Sequence, residues 1–323
     1  MAIDYVIELQ GITKKYKNKK YKMPIIALDD VNLSIRRGEI FGLLGSNGAG
    51  KTTLIKIMSG LLEADGGTGS VLGYDIYKDH KKIRSMVSLV APTADVGTDN
   101  NLTVRQNLEF WAVVYNLEKD QRAIRINEML DFLDLRQYEN HWPMSISAGN
   151  RQKLAIARSL LVKNPVIFLD EPTVKLDTKG AEAVRSLVGR INQEFGITVI
   201  LTTHYIFEAE ELCERVAIMN KGKIISCDTV EKLRKNLQKY EELSIACKPM
   251  TEEIIDEIKG LSYVIDCEYR SEKIFIHMQN PHEKLIEILK ILRSHHIEIS
   301  EISTNESSLE DIYNYTIEAG GAE

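Results

Sequence analysis

The run Gly45-Ser46-Asn47-Gly48-Ala49-Gly50-Lys51-Thr52-Thr53 fits the pattern G-x-x-x-x-G-K-[ST] at every fixed position. The chemistry this pattern serves is polyphosphate binding. Backbone N–H groups must wrap a highly charged anion at close range, and glycine permits both the approach and a positive φ. Gly45, Gly48 and Gly50 meet that demand, with Ser46, Asn47 and Ala49 filling the loop between them. Lys51 offers a point charge to β- and γ-phosphates, the Thr52 hydroxyl is suited to ligate Mg²⁺, and Thr53 completes the nucleotide-binding stretch. A second constellation lies at Val166-Ile-Phe-Leu-Asp170-Glu171-Pro172, four apolar residues ending in two adjacent carboxylates. Asp170 there suits the metal shell, and Glu171 can orient an attacking water. The two constellations together predict nucleoside triphosphate hydrolysis. The phosphate loop alone would leave kinases, GTPases and transport ATPases open, and the rest of the chain closes most of these.

Elements of the right kind flank these residues. Glu39–Leu44 reads as a short buried strand and Thr53–Ser59 as a helix, which sets the glycine loop at a helix N-terminus with its partial positive charge. Val166–Asp170 and Ile197–Thr203 read as parallel strands apolar on both faces, while Asn150–Val162 and Ala181–Glu194 carry helical patterning. Residues 1–220 are therefore α/β. The stretch 101–165 is mostly helical, clearest at Val104–Tyr115 and Asp120–Leu133, and reads as a helical subdomain inserted between strands. Past Gly222 the pattern changes. Glu242–Cys247, Thr251–Lys259, Tyr263–Tyr269, Lys273–Met278, Pro281–Arg293 and Ile297–Ser303 alternate as β-α-β-β-α-β, a ferredoxin-like α+β order, followed by a last helix at Leu309–Ile317. The reading is an ATPase domain over residues 1–235 and an accessory domain over residues 241–323.

Composition narrows the class. Hydrophobic residues at 44% and charged residues at 27% suit a soluble globular chain, and no apolar run approaches the length of a membrane span. Met1–Glu8 has acids where a signal peptide carries basic and apolar regions, so export is not expected. Cys213, Cys227, Cys247 and Cys267 lack a metal-ligand spacing and read as reduced thiols. From residue 241 onward 18 acids face 7 Lys and Arg, a net charge of −11, which leaves +5 for residues 1–240 within the whole-chain −6. So acidic a tail argues against nucleic acid as its ligand. The Lys-rich run Lys14–Lys22 can bring positive potential near a nucleotide or an anionic membrane face, or form a solvated loop.

Just ahead of the acidic strand stands Ile146-Ser147-Ala148-Gly149-Asn150-Arg151-Gln152-Lys153-Leu154. It resembles the signature of ATP-binding cassette (ABC) ATPases, whose usual form is L-S-G-G-Q before a basic amphipathic helix. Ser147 and Gly149 match, and Ile146, Ala148 and Asn150 depart from it. Ser147 can both cap the helix and donate to phosphate. Leu176-Asp177 resembles the end of the family's D-loop, and His204, after Thr202-Thr203, resembles the switch histidine at the γ-phosphate. Tyr16 resembles the aromatic on which adenine stacks, although stacking is base-tolerant and a surface tyrosine would look the same. The family usually places a Gln in the loop after Met86–Val90. None occurs between Ala91 and Asn101, and Gln106 lies beyond, on the next helix. Val174 and Lys175 also stand where the D-loop usually has small residues.

The resemblance implies a fold and a mechanism: an ABC nucleotide-binding domain, ATP and Mg²⁺ as its ligands, Glu171 and His204 as catalytic residues, and Thr52 and Asp170 at the metal. It further implies that two chains pack head to tail, so that Ser147, Ala148, Gly149 and Asn150 of one complete the ATP site of the other. A homodimer is the simplest such pair. A separate multispanning permease would hold the chain at the inner face of the cell membrane. The tail's order, followed by Ser308–Tyr313, is similar to the small C-terminal domain of multidrug and antibiotic exporter ATPases, which makes export the expected direction. An importer motor and a soluble non-transport ABC ATPase are the alternatives, and the tail can also serve as a sensor or dimerisation module.

Overall fold

The computed structural model describes residues 4–17, 24–94, 96–237, 241–278 and 281–305. The chain divides into two compact units, residues 1–228 and 229–323. The first begins with β1 (Tyr5–Tyr16), β2 (Ile25–Arg36), β3 (Ile40–Leu44), α1 (Lys51–Met58), β4 (Gly66–Val71), β5 (Tyr74–Asp75), α2 (His80–Met86) and β6 (Val87–Val90). It continues with α3 (Val104–Val114), α4 (Lys119–Phe132), α5 (Ala148–Leu160), β7 (Val166–Asp170), α6 (Thr178–Phe195), β8 (Thr198–Thr203), α7 (Ile206–Leu212), β9 (Arg215–Asn220) and β10 (Lys223–Thr229).

Two sheets build this unit. One has six strands in the order β10-β9-β3-β8-β7-β6, and its inner pairs run parallel. Every residue of β3, β7 and β8 is buried, as strands covered on both faces require. The glycine loop leaves the C-terminal end of β3, Asp170 closes β7 and Thr203 closes β8, so register alone gathers them at one edge of the sheet. The other sheet is antiparallel, in the order β2-β1-β4-β5, and shares one apolar core with the first through Ile7, Leu33, Phe41, Ile55 and Phe168. Phe168 is fully buried at the centre of β7. Phe168→Ala is expected to lower unfolding stability by about 3–5 kcal/mol, read from chemical denaturation.

Between β6 and β7, α3 and α5 start on side-chain caps, Thr103 and Ser147. Thr103 and Gln106 form a capping box at the start of α3. Gln106 Oε1 accepts from Thr103 N–H at 2.9 Å, so this glutamine is engaged in its own helix. The preceding loop is held against α3 as well. Trp111 Nε1 donates to the Gly97 carbonyl at 2.7 Å, and the buried Arg158 of α5 lies 4.8 Å from the Trp111 ring. Asn107, also buried, donates to the carbonyls of Asp99, Leu102 and Thr103.

The second unit contains α8 (Val230–Leu237), β11 (Glu241–Lys248), α9 (Glu252–Lys259), β12 (Val264–Arg270), β13 (Lys273–Met278), α10 (Pro281–Ser294) and β14 (Glu298–Asn305). Its sheet is antiparallel, in the order β12-β13-β11-β14. Leu243, Ile245, Ile274 and Ile276 form its core with Ile254, Ile258, Ile288 and Leu292 of the two helices. The expected helix at Leu309–Ile317, the motif Ser308–Tyr313 and the Lys-rich run from residue 18 to 22 lie outside the described residues. All four cysteines are free thiols, and burial raises each above the ordinary cysteine value.

Candidate active site

The glycine loop turns directly into α1. Gly50 caps the helix at φ 107°, and a Cβ built on it would lie 2.6 Å from the Ala27 carbonyl oxygen, so no other residue fits. Ser46, Asn47 and Gly48 are exposed at the loop's crest, while Gly45 and Ala49 are buried beneath it. The loop is braced from behind, since Gly45 N–H donates to the Thr203 carbonyl at 3.3 Å and Ala49 N–H to the Ser46 carbonyl at 3.1 Å. A pocket of about 200 Å³ opens here, lined by Ile25, Ile26, Asn47 to Thr53 and Glu171.

Lys51 is only 4% exposed. Its ammonium donates to the carbonyls of Gly45 at 2.6 Å and Ser46 at 3.1 Å and lies 3.4 Å from Glu171 Oε1. Burial pulls its pKa below the ordinary lysine value, and the neighbouring carboxylates of Glu171 and Asp170 oppose that shift. Thr52 Oγ1 donates to the Asp170 carboxylate at 3.0 and 3.2 Å. A hydroxyl and a carboxylate so close are hard-oxygen donors of the kind that suit a Mg²⁺ ion. Among the described residues no cluster of three or more His, Cys, Asp or Glu could hold a metal by itself.

Beyond Asp170 the chain bends sharply. Glu171 has φ 47°, a strained value for a side-chain-bearing residue, and its N–H is held by both the carbonyl and the hydroxyl of Thr202, at 3.1 and 2.9 Å. The Thr202 hydroxyl in turn donates to Asp170 at 2.6 Å. This threonine fixes the Asp170 carboxylate and the Glu171 backbone together, a role that its place at the end of an apolar strand does not signal. The bend swings Glu171 toward His204, whose Nδ1 lies 3.6 Å from Glu171 Oε1. That nitrogen is buried and has no hydrogen-bond partner, and Tyr205 stacks against the ring at 4.0 Å. Lys51, Thr52, Asp170, Glu171 and His204 thus form one contiguous group around the pocket.

The remaining predicted residues stand apart from that group. Ser147 is the N-cap of α5 and accepts from Asn150 N–H at 3.2 Å, with Ala148 and Gly149 in the first turn. Gly149 packs against Gly180, where an added Cβ would lie 3.2 Å from the Gly180 Cα. Asp177 caps α6 by accepting from Gly180 N–H at 2.8 Å. Among the described residues no hydrogen bond joins Ser147, Ala148, Gly149 or Asn150 to the glycine loop. Tyr16 is 39% exposed, and its hydroxyl lies 3.5 Å from Thr53 Oγ1, which sets the ring beside the pocket's rim.

Comparison with known proteins agrees with this geometry. The family model described as ABC transporter matches residues 28–174. The daunorubicin resistance ATP-binding protein DrrA2 of Streptomyces coeruleorubidus is 32% identical over 96% of this chain and 94% of its own length. The chain belongs to the ATP-binding proteins of ABC transporters. It binds and hydrolyses ATP as the motor subunit of such a transporter. The linearmycin resistance ATP-binding protein LnrL of Bacillus subtilis (strain 168) is 29% identical over 95% of this chain and 97% of its own. Among solved structures, the dimeric post-hydrolysis state of the ATP-binding cassette MJ0796 bound to ADP and Pi is similar with a TM-score of 0.62. It is 29% identical and covers 69% of this chain and 98% of that one. No helix among the described residues of this ABC ATPase is long and apolar enough to cross a membrane.

Proposed function

We propose that the chain drives export of a drug-like compound through a separate membrane permease. The carrying observation is the similarity to drug-resistance ATP-binding proteins over 96% and 95% of the chain, a span that must take in most of residues 241–323. Residues 1–235 serve as the ATPase domain, with the helices of residues 101–165 as its helical subdomain, and residues 241–323 as the accessory domain. The second unit's strand order and its β-α-β-β-α-β succession support a ferredoxin-like fold for that domain.

At the site, Gly45 to Thr53 wrap the phosphates of ATP and Lys51 neutralises their charge. Thr52 and Asp170 would hold Mg²⁺, which supplies charge neutralisation at the phosphates when bound. Glu171 orients the attacking water and accepts its proton. His204 braces Glu171 and faces the γ-phosphate, and Tyr16 stacks on the base. Ser147, Ala148, Gly149 and Asn150 act on the ATP of a second copy, with Asp177 at the junction between copies. Their separation from the pocket within one chain supports that reading, as does the dimeric form of the MJ0796 cassette.

The permease docks in the groove of about 430 Å³ lined by Leu61, Arg84, Leu89, Val114, Tyr115 and Asn164. Leu61 and Val114 are 53% and 48% exposed there, apolar surface that a partner would cover. The complex would sit at the inner face of the membrane without nucleic acid. Purification of the tagged chain from detergent-solubilised membranes is expected to bring down a multispanning protein, and Leu61→Asp with Val114→Asp to release it. Vesicles containing the pair should expel an amphipathic drug in an ATP-dependent manner. Uptake of a small nutrient instead would make the chain an importer motor, and absence of any membrane partner would overturn the transport assignment.

A further inference from the structure

A carboxylate outside every motif joins the two loops that carry Glu171 and His204. Glu208, on α7, is 3% exposed. Its Oε2 accepts from Thr203 Oγ1 at 2.7 Å, and its Oε1 accepts from Thr173 Oγ1. Thr173 follows Glu171 by two residues, and Thr203 immediately precedes His204. The Thr203 hydroxyl also accepts from Tyr205 N–H at 2.9 Å, and the Thr203 carbonyl holds the glycine loop through Gly45 N–H at 3.3 Å. Three walls of the site therefore hang on the two threonines that Glu208 fixes.

The residue type matters. A carboxylate only accepts, and each threonine hydroxyl has a single proton to give. Thr203 gives its proton to Glu208 and keeps a lone pair for Tyr205 N–H. A carboxamide would present N–H groups at one end and force one hydroxyl to turn round. Among the described residues Glu208 has no ion-pair partner, and a buried carboxylate satisfied only by hydroxyls is a poor stabiliser beside an apolar side chain of similar size. Its presence is better explained by what it orients.

We propose that Glu208 is a positioning residue for ATP hydrolysis, holding Glu171 and His204 at their 3.6 Å separation without itself touching nucleotide. This rests on the roles assigned above to Glu171 and His204. The test compares kcat, KM and affinity for a non-hydrolysable ATP analogue in the full-length chain carrying Glu208→Ala, Glu208→Gln, Thr173→Ser, Thr173→Val or Glu171→Gln. In Glu208→Ala, kcat is expected to fall by about tenfold to a hundredfold, with KM and analogue affinity within about twofold of wild type. Glu208→Gln should fall less. Thr173→Ser should keep its activity, Thr173→Val should fall by no more than Glu208→Ala but by at least about fivefold, and the double variant Thr173→Val/Glu208→Ala should be no slower than Glu208→Ala, because Glu208→Ala already removes the hydrogen bond from Thr173. Unchanged kcat in Glu208→Ala, a change confined to KM, or equal kcat in the Thr173 pair overturns the proposal, and the Thr173 pair decides it alone where Glu208→Ala does not fold. Full hydrolysis by Glu171→Gln would remove the role of Glu171 and the proposal with it. Loss in Glu171→Gln with none in Glu208→Ala removes the proposal alone.

Discussion

Glu171→Gln is expected to slow ATP hydrolysis at least about a hundredfold while leaving ATP affinity within about twofold, the range in which general-base catalysis contributes. The carboxylate lies beside Lys51 and His204 at the mouth of the pocket, and its backbone is held at φ 47° by two hydrogen bonds from one N–H to Thr202. Glutamine keeps the size and the backbone donors, so the loop's shape is preserved and only the proton acceptor is lost. The same variant separates binding from turnover in the proposed dimer. With ATP it should accumulate as a two-chain species by light scattering, and adding Ser147→Arg should return it to one chain, since on the proposed arrangement a bulky side chain would then crowd the cap of α5 against the second copy's nucleotide. A Glu171→Gln chain that hydrolyses at the wild-type rate would show that another group activates water.

Lys51→Met is expected to weaken ATP binding about a hundredfold, close to 3 kcal/mol, measured by calorimetry or fluorescent-nucleotide titration. Charge-assisted hydrogen bonds of a lysine to phosphate account for much of that. The surroundings account for the rest. The ammonium is nearly excluded from water and sits among two carbonyls and the Glu171 carboxylate, all of negative potential. Methionine fills the same channel and leaves those groups facing the triphosphate without a cation between them. Wild-type affinity in Lys51→Met would mean that the backbone N–H groups of Gly45 to Thr52 suffice.

The chemistry of the site was legible because each demand names few residue types: glycine where Gly50 meets the Ala27 carbonyl, lysine for phosphate, adjacent acids at the end of β7. Elements inside the six-stranded sheet were legible for a related reason, since strands buried on both faces read as unbroken apolar runs. The antiparallel sheet was not. β4 reads Gly-Gly-Thr-Gly-Ser-Val, a composition that suggests a loop, yet a Cβ at Gly67 would lie 2.5 Å from the Gly11 carbonyl oxygen, so its glycines serve close strand approach. Glu208 escaped as well, because its partner Thr173 is 35 positions away and neither residue carries a motif of its own. Gln106 shows the opposite case. A search for a metal-shell glutamine finds it nearby, and only the capping box with Thr103 shows that its amide is spent on the start of a helix.

The clamp of Trp111 on Gly97 also gives this ATPase an optical handle. The chain has two tryptophans, and Trp142 is 62% exposed, so its emission is that of a solvated indole. Trp111 instead donates to the loop that follows β6 and lies beside the Arg158 cation, which makes its fluorescence sensitive to any displacement of that loop from α3. With Trp142 replaced by Phe, stopped-flow emission would time the passage of the nucleotide signal into the helices without an added dye.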